Sequence, residues 1–127
     1  NNVRFFDYFQ EARVRWLNQC QVRMDDPLHG FVVVHVSCDF LQELCYPAQL
    51  WNTIDVIRCG RSSITLLQCV ADFARRDIRY GKGRTTMVWR NHRSGRSTPI
   101  PEDLLQRLLR PFQDEPDDTF SSSHLIS

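Results

Sequence analysis

Apolar side chains recur at Phe5, Phe9, Ala12 and Trp16, with Phe6, Arg13 and Leu17 widening or flanking the stripe. This spacing is helical and predicts an amphipathic or largely buried helix from about Val3 to Gln19. Asparagine is a favoured N-cap, so Asn1 or Asn2 is expected to cap it. The helix is unusually aromatic, which asks for another layer to cover it. Asp25-Asp26-Pro27 closes the helical region, because the residue before a proline is pushed out of the helical conformation.

The period then changes from helical to two. Val32, Val34, Val36, Cys38 and Phe40 alternate with Val33, His35, Ser37 and Asp39, predicting a strand with one buried face from Gly30 to a break at Tyr46-Pro47. Further strands are expected over about 49–59, 62–75 and 78–90. Gly60-Arg61 reads as a tight hairpin whose glycine supplies the positive φ of a type II′ turn. Gly81 and Gly83 inside the last strand suggest a bulge or a close backbone approach. Ser94-Gly95 marks the next turn. Pro99-Ile100-Pro101-Glu102-Asp103 has the proline and acidic residues of a first helical turn, and Leu104, Leu105, Leu108 and Leu109 form that helix's apolar stripe. The order is helix, four sequential strands with short turns, then helix. It predicts an α+β domain in which an antiparallel sheet packs on one long helix.

A chain of 127 residues with 42% apolar side chains fits one domain with an ordinary core. We expect that domain to span 1–112, followed by an acidic and serine-rich tail over 113–127 without fixed structure. Sixteen basic against fifteen acidic residues give a net charge of +1, which leaves no electrostatic footprint for nucleic acid or for an anionic membrane. No apolar run reaches the roughly 20 residues of a membrane helix. The five cysteines are odd in number and show no C-x-x-C spacing, so buried free thiols are expected rather than a disulfide framework or a zinc site. The four histidines lack metal-ligand spacing, and neither metal nor cofactor is expected.

Two groups of residues invite a chemical reading. His35, Ser37 and Asp39 share one face of a strand, but side chains two residues apart there stand about 7 Å from each other, too far for a hydrogen-bonded triad. Asp7 and Glu11 are four apart on the helix and share a face, where Glu11 could pair with Arg15 or act as a carboxylate.

Three segments resemble one family. Asn1-Asn2-Val3-Arg4-Phe5-Phe6-Asp7-Tyr8-Phe9-Gln10-Glu11-Ala12-Arg13 is similar to the start of the central helix of hotdog-fold acyl-CoA thioesterases of the 4-hydroxybenzoyl-CoA thioesterase type. Arg58-Cys59-Gly60-Arg61-Ser62-Ser63 resembles the family's R-x-G-R-S-S hairpin. Gly83-Arg84-Thr85-Thr86-Met87-Val88-Trp89, with Ser94-Gly95-Arg96 and Pro99-Ile100-Pro101-Glu102, resembles its last strand and closing helix.

The resemblance covers about 1–110 and implies a hotdog fold, an antiparallel sheet wrapped around a long central helix. It also implies a cytoplasmic homodimer or homotetramer that hydrolyses acyl-CoA. In such enzymes a carboxylate activates water or attacks the thioester, and a backbone amide at the helix N-terminus, here that of Asn2, stabilises the oxyanion. The hairpin residues Arg58, Arg61, Ser62 and Ser63 would contact coenzyme A. A second hotdog subgroup uses a carboxylate on the helix, near the position of Glu11. The family's first strand and its catalytic aspartate, in a D-x-x-G-H-V stretch, precede the Asn1-Asn2 pair and are expected upstream of residue 1. Without them, the exposed sheet edge would favour association over a stable monomer. The alternative reading is a non-catalytic hotdog module that binds acyl-CoA or a protein partner. A hotdog dehydratase would need an Asp/His pair near the helix, which the sequence does not show.

Overall fold

The 18-residue helix α1 (Asn2–Gln19) carries the expected stripe on its buried side: Phe9, Ala12 and Trp16 are almost fully buried. The computed structural model describes residues 2–43 and 49–114. Asn1 as a cap, the Tyr46-Pro47 break and the tail beyond Asp114 lie outside them. After α1 come β1 (His29–Phe40), β2 (Leu50–Cys59), β3 (Ser63–Asp72), β4 (Arg79–Asn91), α2 (Glu102–Leu108) and β5 (Phe112–Asp114). The strands form one antiparallel sheet in the order β1-β4-β3-β2-β5. The α+β expectation holds. β5 is a difference: the sequence reading closes the ordered domain at Phe112, whereas pairing with Asn52–Ile54 carries the chain on to Asp114.

α1 ends in a Schellman arrangement, in which Val22 N–H reaches Leu17 O (3.0 Å) and Gln21 N–H reaches Asn18 O (3.0 Å). Gln21 takes the left-handed conformation (φ 60°) usually left to glycine. Asp26 then accepts the N–H groups of Leu28 (2.7 Å) and His29 (3.2 Å) and starts β1. These bonds hold its carboxyl below the usual carboxylate range. α2 opens after Pro101 with Glu102 and Asp103 in its first turn. Arg107 ties it to the end of α1 by donating to Cys20 O at 2.7 Å, and pairs within α2 with Asp103 at 3.1 Å.

Both helices pack on one face of the sheet, here called the inner face. The larger apolar cluster joins Ala12, Trp16 and Leu17 of α1 to Ile64, Leu66, Met87 and Trp89 of the sheet and to Leu104 and Leu108 of α2. A smaller cluster joins Tyr8 and Phe9 to Leu50, Val70 and Tyr80. Between the two runs a polar belt: Gln68 donates to Phe9 O (2.9 Å), and Arg13 donates to Gln68 (3.1 Å) and Thr85 (3.4 Å). Burial lowers the pKa of Arg13 from its ordinary value.

β1 departs from expectation. Its alternation predicts one buried face, yet Val33, Val34, Val36 and Phe40 are 44%, 51%, 38% and 40% exposed. The cause is position: β1 lies at the edge of the sheet and is bulged between Val33 and His35. The thiols differ as well. Cys20 is buried, Cys38 and Cys69 are half-buried, and Cys59 is exposed.

At Gly83 the helix side chain Phe9 comes close to β4. A Cβ there would lie 3.1 Å from Phe9 Cε2 and 3.3 Å from Ser37 O. Both obstacles are firmly placed, so Gly83→Val is expected to destabilise the domain by about 2–3 kcal/mol, as overpacking does. Chemical denaturation would measure the loss, and Phe9→Leu in the same chain should recover part of it.

Candidate active site

The hairpin between β2 and β3 carries Arg58, Arg61, Ser62 and Ser63. Gly60 N–H donates to Ser63 O at 2.7 Å, and a Cβ on Gly60 would meet Ser63 Oγ at 2.7 Å. Gly60 takes no positive φ, and its tight contact is with the rotatable Ser63 hydroxyl. Among the described residues left-handed φ occurs only at Gln21 and Gly95, which corrects the type II′ expectation. The loop is braced from two sides: Ser62 O accepts Trp89 N–H (2.7 Å) and Arg61 O accepts Ile100 N–H (3.0 Å). Ser62 and Ser63 are half-buried, while Arg58 and Arg61 stand in solvent. Neither arginine is in an ion pair among the described residues. The hairpin thus presents two guanidinium groups and two hydroxyls on a fixed turn, a donor set suited to phosphate.

Asn2 opens α1, and the amides of a first helical turn have no partner within the helix. They carry partial positive charge and can stabilise an anion. Within one chain, however, this donor and the hairpin are far apart. Phe9, seven residues into α1, sits beside Val70 and Gln68, in the later half of β3. The hairpin lies at the other end of that strand, five residues back from Gln68, or about 17 Å. Asn2 is a further seven residues from Phe9 in the opposite sense, about 10 Å of helix. The expected oxyanion donor and the expected coenzyme A contacts occupy opposite ends of the sheet.

Glu11 is exposed on the side of α1 away from the sheet, in a shallow groove with Asp7, Gln10, Val14 and Arg15. His35, Ser37 and Asp39 do share the outer face, opposite Thr86, Arg84 and Lys82 of β4. Three of the thiols, Cys20, Cys38 and Cys69, offer no nucleophile here. Burial, helped by Asp39, pushes Cys38 up to about 11, and burial raises Cys20 and Cys69. Among the described residues no group of three or more His, Cys, Asp or Glu could hold a metal, and no helix is long and apolar enough to cross a membrane. The sequence reading misses the Arg13–Gln68–Thr85 belt. Its signal is present, as a charged residue inside an apolar helical stripe.

One long helix packed on an antiparallel sheet, with a basic hairpin at one end, defines an α+β domain of the helix-on-sheet class. A profile of the thioesterase-like superfamily matches residues 1–108, and the chain belongs to that superfamily. A comparison with curated proteins finds no match. Among solved structures, the chain is similar to a Pseudomonas aeruginosa protein (25% identity, TM-score 0.77, covering 87% of this chain and 79% of that one). It is similar to a Thermus thermophilus thioesterase complexed with coenzyme A and zinc (25%, 0.69, 85% and 77%). It also resembles a Xanthomonas campestris protein provisionally named an acyl-CoA thioesterase (31%, 0.62, 70% and 75%).

Proposed function

We propose that this protein hydrolyses acyl-CoA thioesters to a free acid and coenzyme A. Membership of the thioesterase-like superfamily carries the reading. The free amides at the start of α1 and the basic hairpin support it. α1 serves as the central helix of a hotdog fold. The carbonyl oxygen of the thioester lies against the Asn2 amide, which takes up the charge that develops as the carbonyl carbon is attacked. The family's aspartate upstream of the Asn1-Asn2 pair takes the proton of the attacking water, or attacks directly to give an enzyme-bound anhydride that water then hydrolyses to the free acid. The tetrahedral adduct then collapses, expelling the coenzyme A thiolate. Arg58 and Arg61 bind the phosphates of the coenzyme, with Ser62 and Ser63 beside them. Glu11 faces away from this path, which favours a surface role. No cofactor takes part, and the enzyme works in the cytoplasm.

The working form is a homodimer. β1 is a free edge with exposed Val33, Val34 and Val36, the kind of strand that pairs with a second chain. In an antiparallel pairing of two β1 strands, the Phe40 end of one meets the His29 end of the other. Phe40 lies beside Gly81, toward the start of α1, and His29 beside Asn91, toward the hairpin. Such a dimer brings the Asn2 end of one copy alongside the hairpin of the other.

The test is coenzyme A release from a panel of acyl-CoA thioesters, with protein carrying its native N-terminus. Arg61→Ala is expected to raise KM about tenfold with kcat unchanged, since it removes binding shared by substrate and transition state. Coenzyme A binding without turnover would instead favour the non-catalytic module. Neither binding nor turnover would sink both readings.

A further inference from the structure

The outer face of the sheet, opposite the helices, carries a pocket of about 420 Å³ that the thioesterase reading does not use. The strand register builds it row by row. Trp51 of β2 lies opposite Ala71 of β3, which lies opposite Arg79 of β4. The next row of the lining is Thr53 and Cys69, and the one after it Asp55 and Leu67, while their β4 partners Lys82 and Arg84 stand outside it. Directly paired residues share a face, so these side chains project together. Pro111 and Phe112 close one side.

One end of this pocket is strongly cationic. Arg76, from the β3–β4 connection, holds its guanidinium 4.2 Å from the centre of the Trp51 indole and 5.3 Å from that of Phe73. Its neighbour Arg75 pairs with Asp77 at 3.5 Å, but neither Arg76 nor Arg79 has a carboxylate partner among the described residues. The nearby Asp72 is engaged already, accepting the Tyr80 hydroxyl at 3.0 Å and the N–H groups of Ala74 and Arg75. Below the Arg76 guanidinium, Trp51 Nε1 is a buried donor without a partner among the described residues. A buried polar group left unpaired costs free energy, so a native site normally supplies an acceptor. Past this end the floor turns apolar, with Leu67 and the Cys69 thiol, which burial holds protonated. At the far end Asp55 is exposed, and its charge repels a second anionic group.

The complementary ligand has one carboxylate, a flat or compact apolar body, and no charge at its other end. We propose that this pocket binds an organic monocarboxylate, with its carboxylate held between Arg79 and the Trp51 indole N–H and its body against Leu67 and Cys69. Arg76 lies over the Trp51 ring as a cationic cap. The volume suits an aromatic or short-chain acid and falls within the range of small-molecule sites. The inference stands apart from the thioesterase reading, since it uses neither α1 nor the hairpin.

Isothermal titration of the full chain with benzoate tests it. One benzoate per chain is expected to bind. Arg79→Ala should weaken it by about tenfold or more, because a charge-assisted bidentate contact is lost. Arg79→Lys should recover part of that loss. Trp51→Phe, which keeps a ring and removes only the donor, should weaken binding severalfold. Neutral benzamide and inorganic phosphate should give no heat. Arg79 is exposed, so its two variants should melt like the parent. Absence of heat at millimolar benzoate would overturn the proposal. Unchanged affinity in Arg79→Ala would also overturn it, placing the acid elsewhere, the active site included. Phosphate binding as tight as benzoate would overturn it in favour of a general cationic patch. A change of assembly mass in Arg79→Ala, without benzoate binding to the parent, would overturn it in favour of a subunit contact.

Discussion

Asn2→Pro is expected to lower kcat for acyl-CoA hydrolysis by about 100-fold, the loss seen when one oxyanion donor is removed. Proline lacks the backbone N–H, and that is the only group the substitution is designed to delete. Elsewhere in a helix it would also break a hydrogen bond and clash with the preceding turn. At the first helical residue its fixed φ is already helical and its missing N–H had no helical partner. Asn2 occupies that place in α1. The domain should therefore melt at an unchanged temperature while turnover collapses. Steady-state kinetics separate the cases: an oxyanion role lowers kcat and kcat/KM together, whereas loss of ground-state binding raises KM alone. Asn2→Ala, which keeps the amide, is the control and should retain most of the activity. Equal losses in the two variants would move the function from the backbone to the side chain. No loss in either would remove Asn2 from the site.

Much of the fold is legible in the sequence because it follows from periodicity. The run from Phe9 through Ala12 to Trp16 is helical in spacing, and all three side chains are buried against the sheet. Gly83 reads as a close approach, and the ring of Phe9 lies against it. The errors arise where local pattern meets tertiary position. Alternation along β1 looks like a strand with a buried face, but pairing order decides burial, and among the described residues β1 pairs with β4 alone. Gly60 followed by Arg61 is a plausible two-residue turn. The observed loop is held from outside by Trp89 and Ile100, contacts between residues far apart in the chain that no short window can contain. β5 escapes a sequence reading for the same reason. Three residues have no periodicity of their own, and their pairing with β2 is what makes them a strand.

For the site, the limit is of another kind. The hairpin motif reads as a group of neighbours and folds as one, because its residues are adjacent in the chain. The relation between that hairpin and Asn2 depends on where α1 lies along the sheet. The Arg13–Gln68–Thr85 belt fixes that placement, with Gln68 Nε2 reaching Phe9 O at 2.9 Å. Two motifs that read as parts of one site are thereby held apart within one chain. If both serve a single thioester, each must use its counterpart from a second copy.

Mixing two defective chains is expected to restore activity. One chain carries Arg61→Glu, which turns the guanidinium proposed to bind the coenzyme into a repelling carboxylate. The other carries Asn2→Pro. Each homodimer is impaired in both of its sites. In the mixed dimer, a site assembled across the two-fold pairs the intact α1 start of the first chain with the intact hairpin of the second, while the other site gathers both defects. Random exchange makes about half of the dimers mixed, each with one sound site, so about a quarter of the wild-type rate should return. The measurement is coenzyme A release before and after the two variants are co-refolded, at a substrate concentration below KM. A site contained within one chain predicts no gain, because every site would then keep its own lesion. Lysines placed at Val34 and Val36 supply the structural counterpart. These exposed β1 positions would bring like charges together across the pairing edge, so the variant should sediment as a monomer and lose the activity that mixing restores. If that monomer kept full turnover, the shared site would be wrong even though the hydrolase assignment survived.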